Sequence, residues 1–333
     1  MLTDVTEANA IEEIYGREVS INPKVSIVVT SYSTNRFRDL ADLIRSLACQ
    51  EKSEVAELVV VVERDEELFQ KVVRLLKQSH CIRSYVLYYN QLNGMSDARN
   101  KGAKASTCDF IAFVDDDVVL DEGWLDNLLR TMESTNAVAA TGPAHPIWIG
   151  KPVDWFPKEL SWIIGSTQWL DHDRITRVRN VWGSNIVLRK DAFMAIGGFS
   201  NEFGLHSASR TKWHDPPSED VDISIRLTMK YKKPILFVPG LSIGHKIPSR
   251  KISLGFVAQR SYSVGYQRHS IRRLYGEYNN LSFEKSLIPR IVALLPSALL
   301  TLPKSPRKSM NILMTSTLVL LFATLGFFDR RGY

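Results

Sequence analysis

The segment VSIVVTSY (residues 25–32) is an unbroken run of β-branched and other mostly apolar residues. Such a run is typical of a strand that is buried on both faces of a sheet. Two similar runs follow, ELVVVVE (57–63) and DFIAFVDDDV (109–118), and SYVLYYN (84–90) lies between them. The sequence therefore contains four predicted strands with the character of a parallel sheet.

The segments between these strands have the character of helices. In DLADLIRSLACQ (39–50), four apolar residues fall on one helical face, namely Leu40, Leu43, Ile44 and Leu47. The segments 66–78 and 96–106 are predicted to be helices as well. Strands that alternate with helices predict an α/β fold, in which a mostly parallel, Rossmann-like sheet is flanked by helices.

The composition argues against several classes of protein. Of the 333 residues, 44% are hydrophobic and 23% are charged, which does not fit a disordered chain, a collagen-like repeat or a disulfide-stapled miniprotein. The three cysteines (Cys49, Cys81 and Cys108) are scattered, without a CxxC pair or a Cys/His metal spacing. This predicts a reduced, cytosolic compartment, and the acidic N-terminus lacks the apolar stretch of a signal peptide.

Charge is distributed unevenly along the chain. Residues 246–333 carry a net charge of +11, whereas residues 1–245 carry −5. A basic region of this kind favours an anionic partner, either nucleic acid or a membrane leaflet. We expect four regions, which are an N-terminal extension (1–20), an α/β domain (21–250), a basic amphipathic region (251–285) and a hydrophobic region (286–333).

The hydrophobic region favours the membrane over nucleic acid. Residues 309–328 contain no charge, and as a helix they would extend about 30 Å, so 310–328 is a candidate transmembrane helix. The segment 286–303 is interrupted by Arg290 and three prolines, which predicts an interfacial or re-entrant helix. In 256–278, arginines alternate with tyrosines, which predicts an interfacial helix that meets lipid phosphates. The alternatives are a hydrophobic hairpin in a soluble core and an ordinary solvated helix face.

Polar residues follow the predicted strands at one edge of the sheet, where ligands of parallel sheets bind. They are Thr30, Ser31, Tyr32, Glu63, Asn90, Asn93, Asp115, Asp116 and Asp117. Three consecutive carboxylates repel one another unless a cation neutralises them, and hard oxygen ligands favour Mg²⁺ or Mn²⁺. The alternative is a solvated acidic turn. No GxGxxG or GxxxxGK[ST] pattern is present, which argues against a dinucleotide dehydrogenase and a P-loop enzyme.

A second group of acids begins an amphipathic helix in PPSEDVDISIRL (216–227). Glu219, Asp220 and Asp222 are partly ordinary first-turn residues, which the helix dipole stabilises. Two acid clusters about a hundred residues apart also suit a division of labour. One cluster would hold a metal and a diphosphate, and the other would supply a general base.

Several motifs together resemble the family 2 glycosyltransferases of the GT-A fold. They are VSIVVTSY, SDARNKGAKAS, IAFVDDDV, NVWGSNIVLRKDAFMAIGGF (180–199) and SEDVDISIRL, and the similarity covers about residues 24–250. The stretch TGPAHPIW…WFPKELSWIIG (141–165) is similar to glycosyltransferases that extend polyprenyl- or dolichyl-phosphate-linked sugars, among them the glucosyl-dolichyl-phosphate glucuronosyltransferases. The resemblance implies a nucleotide-sugar donor, a divalent metal and inversion at the anomeric carbon.

The resemblance also implies roles for individual residues. Asp220 would be the catalytic base, with Glu219 beside it. The metal ligands would be Asp117, Asp115 and His245. The nucleotide sugar would be bound by Thr30, Tyr32, Glu63, Asn93, Arg99, Asp115, Asp116, Trp182, Ser184 and Asn185. Glu63 stands where the family usually has an Asp that reads the base. A uronic acid donor would need a further basic residue, for which Arg179 and Arg189 are candidates.

We therefore expect an inverting, metal-dependent glycosyltransferase that uses Mg²⁺ or Mn²⁺. The expected donor is a UDP-sugar, and the expected acceptor is a polyprenyl- or dolichyl-phosphate-linked sugar, with no nucleic acid partner. The protein would be membrane-associated, with its catalytic domain facing the cytoplasm. Three alternatives remain at this point. They are a membrane-associated nucleotide-sugar-binding protein without catalysis, a sugar-1-phosphate nucleotidyltransferase, and a nucleic-acid-binding module whose basic segment binds RNA or DNA with steep salt dependence.

Overall fold

The computed structural model describes residues 8–14, 23–79, 82–201, 203, 219–276 and 282–329. These residues divide into two units. Unit 1 contains the described chain up to Pro143, from His172 to Phe203 and from Glu219 to His245. Unit 2 contains Ala144–Asp171 and the described chain from Lys246 onward.

Unit 1 is built on a nine-stranded sheet. Its strands are β1 (Ala10–Ile14), β2 (Val25–Ser31), β3 (Ala56–Glu63), β4 (Arg83–Tyr89), β5 (Phe110–Asp115), β7 (Ala139–Thr141), β9 (Thr176–Val178), β10 (Asn185–Arg189) and β11 (Ile235–Phe237). The order across the sheet is β1-β4-β3-β2-β5-β10-β7-β11-β9. The four predicted strands are neighbours and run parallel, which confirms the α/β prediction. All eight residues of β3 are buried, as its apolar run indicates.

Six helices in unit 1 connect these strands. They are α1 (Phe37–Ala48), α2 (Glu66–Ser79), α3 (Met95–Ala105), α4 (Trp124–Ser134), α5 (Lys190–Ala195) and α6 (Glu219–Tyr231). Leu40, Leu43, Ile44 and Leu47 are all buried, so the amphipathic face predicted for α1 is confirmed. In α3, Gly102 allows a close approach to the sheet, because a Cβ there would lie 2.3 Å from the Val28 Cγ1.

Two features of unit 1 differ from the sequence-based expectation. Residues 10–14 lie within the predicted N-terminal extension but form an edge strand, β1, antiparallel to β4. The strand predicted over 109–118 ends at Asp115, and the chain turns there before a separate strand, β6 (Val118–Leu120). The turn takes the three carboxylates out of the regular strand, so that each of them reaches a hydrogen-bond or ion-pair partner, which buried charged groups require. β6 pairs with the start of β12 (Ile243–Pro248).

Unit 2 contains three long helices, α7 (Leu254–Tyr275), α8 (Ser282–Thr301) and α9 (Pro306–Phe328). It also contains β8 (Ala144–Ile149), the end of β12 and a 3-10 helix at Lys158–Ile164. α8 continues through Pro289 and Pro296. Among the described residues, α9 is the one helix that is long and apolar enough to cross a membrane.

Candidate active site

Asp115, Asp116 and Asp117, called the acidic turn below, lie where β5 ends beside β2. Thr30 of β2 is in register with Asp115, and the next hydroxyl, Ser31 Oγ, donates to Asp116 Oδ2 at 2.6 Å. Burial raises the pKa of Asp116 to about 6, although the Arg36 charge and the Ser31 hydrogen bond lower it. The acidic turn is therefore held by β2 rather than solvated as a free loop.

His245 reaches the acidic turn because of strand register. His245 in β12 pairs with Val118, the residue that follows Asp117. As a result, His245 Nε2 lies 3.4 Å from Asp117 Oδ1, and both side chains are largely buried. One imidazole nitrogen and one carboxylate oxygen at this separation fit a shared divalent cation with mixed oxygen and nitrogen ligands. Among the described residues, no group of three or more His, Cys, Asp and Glu side chains forms a complete metal site.

Arg36 is a residue of this site that the sequence analysis missed. It follows β2 in a 3-10 turn (Thr34–Arg36). Its Nη1 donates to Asp116 Oδ1 and lies 3.4 Å from Asp117 Oδ2, and its guanidinium lies over the Tyr32 ring at 5.7 Å. The sequence carries no signal for this contact, because Arg36 and Asp116 are eighty positions apart and meet only when β2 and β5 pair.

Arg99 of α3 joins the acidic turn to the second group of acids. Arg99 Nη2 donates to Asp115 Oδ1 at 2.8 Å and to the Gly183 carbonyl at 2.8 Å, while Nη1 donates to Glu219 Oε1 at 3.2 Å. The Arg99 side chain is only 2% exposed. A planar guanidinium can bridge several acceptors in this way. The geometry therefore places Arg99 inside the site as a link between two carboxylates.

Glu219 and Asp220 begin α6 but have different surroundings. Glu219 is buried, and its Oε2 has no hydrogen-bond partner among the described residues. Burial and the neighbouring Asp220 charge raise the pKa of Glu219 to about 7, against the lowering effect of Arg99. Asp220 is partly exposed, and its Oδ1 and Oδ2 accept from the backbone N–H groups of Val221 and Gly183 at 2.8 and 3.2 Å. Asp220 is thus the more accessible of the two carboxylates.

Glu63 and Asn93 meet at the ends of β3 and β4. Glu63 is buried and its Oε1 accepts from the Asn93 backbone N–H at 3.2 Å. Burial raises the pKa of Glu63 to about 7, while this hydrogen bond and Lys101 lower it. Tyr32 beside them is 55% exposed. The strand ends thus present an exposed aromatic ring and a buried carboxyl on the same edge of the sheet.

The predicted residues near β10 fall into two groups. Trp182 is partly exposed and its ring packs on Phe237 at 5.9 Å, and Ser184 is 8% exposed. Asn185 is fully buried: its Nδ2 donates to the Leu241 carbonyl at 2.6 Å, and its Oδ1 accepts from the Trp124 indole. Asn185 therefore has the contacts of a structural residue and not those of a pocket side chain.

The two candidates for a sugar-carboxylate contact also differ. Arg189 donates to the carbonyls of Met132, Thr135 and Ala137 at 2.7 to 3.1 Å, so it caps the C-terminal end of α4. These bonds use its Nε and Nη2, so Arg189 has the contacts of a structural residue. Arg179 Nε donates to Asn180 Oδ1 at 3.0 Å.

A second missed residue, Asp65, supports the loop that carries Arg36. Its carboxylate accepts from the Thr34 N–H at 2.6 Å, the Thr34 hydroxyl and the Leu68 N–H. Burial alone would raise the pKa of Asp65, but these hydrogen bonds outweigh that effect, and the pKa is lowered. Asp65 thereby ties the start of α2 to the turn after β2. An Asp directly before an amphipathic helix is the signal that could have identified it as a helix cap.

Comparison with known proteins places these residues in a family. The sequence profile of Glycosyl transferase family 2 matches residues 26–197, which is about half of the chain. The glucosyl-dolichyl phosphate glucuronosyltransferase of Haloferax volcanii is 30% identical over 254 residues, 76% of this chain and 78% of that protein. The succinoglycan biosynthesis protein ExoM of Rhizobium meliloti is 26% identical over 253 residues, 70% of this chain and 71% of that protein.

Among solved structures, a mannosyltransferase of Pyrobaculum calidifontis, in complex with GDP-Man and Mn²⁺, is similar with a TM-score of 0.59 at 13% identity. The similarity covers 96% of this chain and 91% of that chain. The fold is accordingly that of the GT-A glycosyltransferases. The matched region contains Arg36, Arg99 and the acidic turn. From the profile match and the Haloferax relative together, the chain is a glycosyltransferase that belongs to glycosyl transferase family 2.

Proposed function

We propose that this glycosyltransferase is inverting and metal-dependent, and that it moves a sugar from a nucleotide-sugar donor to a hydroxyl of a lipid-linked sugar. The observation that carries the proposal is the Arg99 guanidinium, which binds Asp115 of the acidic turn and Glu219 of α6 at the same time. One side chain thereby holds the candidate donor side and the candidate base side together in unit 1. Such rigid positioning is what a direct displacement needs.

The residues that would hold the cation are Asp117 and His245, with Asp115 beside them. The cation would supply positive charge to the leaving diphosphate. Arg36 and Ser31 fix the remaining carboxylate of the acidic turn, Asp116. The carboxylate and imidazole ligands that Asp117 and His245 would supply fit both Mn²⁺ and Mg²⁺, and the imidazole favours Mn²⁺ over Mg²⁺.

Asp220 is the proposed general base. In the reaction its carboxylate takes the proton of the acceptor hydroxyl, and the hydroxyl oxygen forms a bond to the anomeric carbon. The bond from that carbon to the diphosphate oxygen breaks, and the electron pair leaves with the nucleoside diphosphate. The N–H groups of Gly183 and Val221 hold the Asp220 carboxylate in place, and its partial exposure leaves it open to an acceptor.

The identity of the substrates is a further part of the proposal. The Haloferax relative is named for transfer of glucuronic acid to a glucosyl-dolichyl phosphate, which supports a polyprenyl- or dolichyl-linked sugar as acceptor. The Pyrobaculum structure contains GDP-Man, which supports a nucleotide sugar as donor, and we propose a UDP-sugar. The proposed contacts for the donor are Tyr32, Asn93, Trp182 and Ser184. Thr30 and Glu63 are proposed to lie beneath them.

We also propose that the protein associates with the membrane and acts on its cytoplasmic side. The apolar length of α9 supports association with a bilayer, as does the net charge of +11 over residues 246–333. Cys49 and Cys108 are free thiols, which supports a reducing compartment.

The test is nucleotide release from a panel of sugar nucleotides by the full-length, detergent-solubilised protein. The reaction contains membrane lipid extract and either Mn²⁺ or Mg²⁺. We expect turnover of one donor that needs both lipid and metal, and a loss of at least 100-fold in Asp220→Asn. Glu66→Gln, which changes an exposed acid of α2, is the matched control. Binding of a nucleotide without turnover of any donor would favour a catalytically inactive binding protein, and turnover that is unaffected by Asp220→Asn would refute the assignment of the base.

A further inference from the structure

The helices α8 and α9 each present a stripe of exposed apolar residues. On α9 the stripe recurs at helical spacing and consists of Met310, Met314, Leu321, Leu325 and Phe328. On α8 it consists of Ile288, Val292, Leu299 and Leu300, of which Leu300 is 81% exposed. Exposed apolar residues that recur along two neighbouring helices indicate an interaction site.

The opposite face of α9 packs on other parts of unit 2. Val319, near the middle of α9, belongs to an apolar cluster with Leu160 and Ile163 of the 3-10 helix. Lys158, in the same 3-10 helix, forms an ion pair with Asp171 at 3.0 Å, and both side chains are more than half exposed. In a helix that crosses a bilayer, the middle lies about 15 Å from water on either side. An exposed charged pair that includes Lys158, two residues from Leu160 of this cluster, does not suit that distance from water.

The helix α7 is packed tightly against α9. A Cβ on Gly265 would lie 2.0 Å from the Ala323 carbonyl oxygen, and a Cβ on Gly326 would lie 2.0 Å from the Tyr262 carbonyl oxygen. The two backbones are therefore in direct contact. Because residue numbers rise on α7 as they fall on α9 along this contact, the two helices are antiparallel. Any position that α9 takes in a membrane is shared by α7.

The sequence of α7 does not suit the hydrocarbon core. It contains four arginines, Arg260, Arg268, Arg272 and Arg273. Arg268 lies one turn beyond Gly265 toward the middle of α9, and its Nε is 2.6 Å from Glu284 Oε1 of α8. Arg272 and Arg273 lie a further turn along and are exposed. A spanning orientation of α9 would place these three arginines near the bilayer centre, where charged side chains are unfavourable.

We propose that α8 and α9 lie in the plane of one membrane leaflet, with their exposed apolar stripes in the acyl chains, and that α9 does not cross the bilayer. The partner is a leaflet that contains anionic headgroups, because Lys304, Arg307 and Lys308 are exposed where α8 connects to α9. This replaces the transmembrane orientation that the sequence predicts for 310–328. The inference rests on the membrane association proposed above and concerns its geometry.

The test measures depth in the bilayer along α9. Single cysteines replace Met310, Thr317 or Phe328, which are all exposed, in the full-length chain with its native cysteines changed to alanine. Each is labelled with a nitroxide after reconstitution into phosphatidylcholine vesicles with phosphatidylglycerol, and depth is read from collisions with oxygen and a nickel chelate. An in-plane helix gives three depths that agree within about 5 Å, which is one helical turn. A spanning helix places position 317 deepest, with the two ends about 27 Å apart along the normal.

Two controls separate this inference from the proposed function. A nitroxide at position 66, an exposed residue of unit 1, gives the reading for water. Flotation of the same protein with the vesicles reports membrane association itself. Absence of flotation would overturn both the association and the in-plane geometry. Flotation with a depth profile that is deepest at position 317 would overturn the in-plane geometry alone, and the nucleotide-release assay reports on catalysis independently.

Discussion

Replacement of Arg99 by Met tests whether one buried guanidinium holds the two halves of the site together. The substitution keeps the apolar stem but leaves Asp115 and Glu219 without the cation that they share. Breaking a buried ion pair costs about 3–5 kcal/mol. The cost at pH 7 should be smaller, about 2 kcal/mol, because the Asp115 side chain is 31% exposed and Glu219 can take up a proton.

The pH dependence of this loss of unfolding free energy is the more specific part of the prediction. The pKa of Glu219 is already raised to about 7, and removal of Arg99 raises it further. The native state of Arg99→Met then holds a proton that the unfolded chain has lost, so the destabilisation grows by about 1 kcal/mol per pH unit above pH 7. The destabilisation is measured by urea unfolding, which is followed by tryptophan fluorescence in one detergent at pH 6, 7 and 8.5. In the Glu219→Gln background this growth should disappear. The reasoning is refuted if Arg99→Met costs the same at pH 6 and pH 8.5.

Three further predictions concern other parts of the molecule. Burial raises the pKa of Glu63 to about 7, above its ordinary value of 4.5. As the pH rises from 4.5 to 7, Glu63 should therefore lower the free energy of unfolding by up to about 3 kcal/mol. Glu63→Gln should reduce the slope of the urea midpoint against pH, and an unchanged slope would contradict the prediction. Gly326→Ala should lower the thermal midpoint of unfolding, because its new methyl group would lie 2.0 Å from an α7 carbonyl oxygen. The control Gly255→Ala, which has open space around it, should leave the midpoint unchanged. Equal midpoints in the two variants would contradict the close packing of α7 and α9. Calorimetry with Mn²⁺ alone should show about tenfold weaker binding in His245→Ala, because this variant loses a ligand. Binding should be tighter in Arg36→Gln, because this variant loses a competing positive charge. A change of the same sign in both variants would contradict the metal site.

The periodic elements of the fold could be predicted from the sequence with good precision. The strands β2, β3, β4 and β5 are short apolar runs, and α1 has four apolar residues on one face that are all buried. The strands depend on short apolar runs that are buried on both faces, and the helix depends on an apolar pattern that repeats every 3.6 residues. β1 could not be predicted in the same way, because AIEEI has little strand character of its own. It becomes a strand because the edge of β4 supplies its hydrogen bonds.

For the site, residue type and position after a strand were sufficient to identify the acidic turn and Asp220 as candidates. The family resemblance suggested Asn185, and the need of a uronic acid donor for a basic residue suggested Arg189. The structure shows the polar groups of both bonded elsewhere, inside the core and at the end of α4. A sequence motif cannot distinguish a polar side chain that lines a pocket from one that satisfies buried carbonyls, since both are polar residues beside a strand.

Contacts between distant segments depend on how strands and helices are arranged in space. The bonds from Arg36 to Asp116 and from Arg99 to Glu219 join residues 80 and 120 positions apart, and nothing in either local sequence indicates its partner. The same applies to α9: its composition is that of a membrane-spanning helix, but the glycine contacts with α7 and the cluster around Val319 place its middle against protein. Local sequence determines which elements form, because propensity and periodicity act over a few residues. Which charges meet, and which face of a helix stays exposed, is determined by packing over the whole chain.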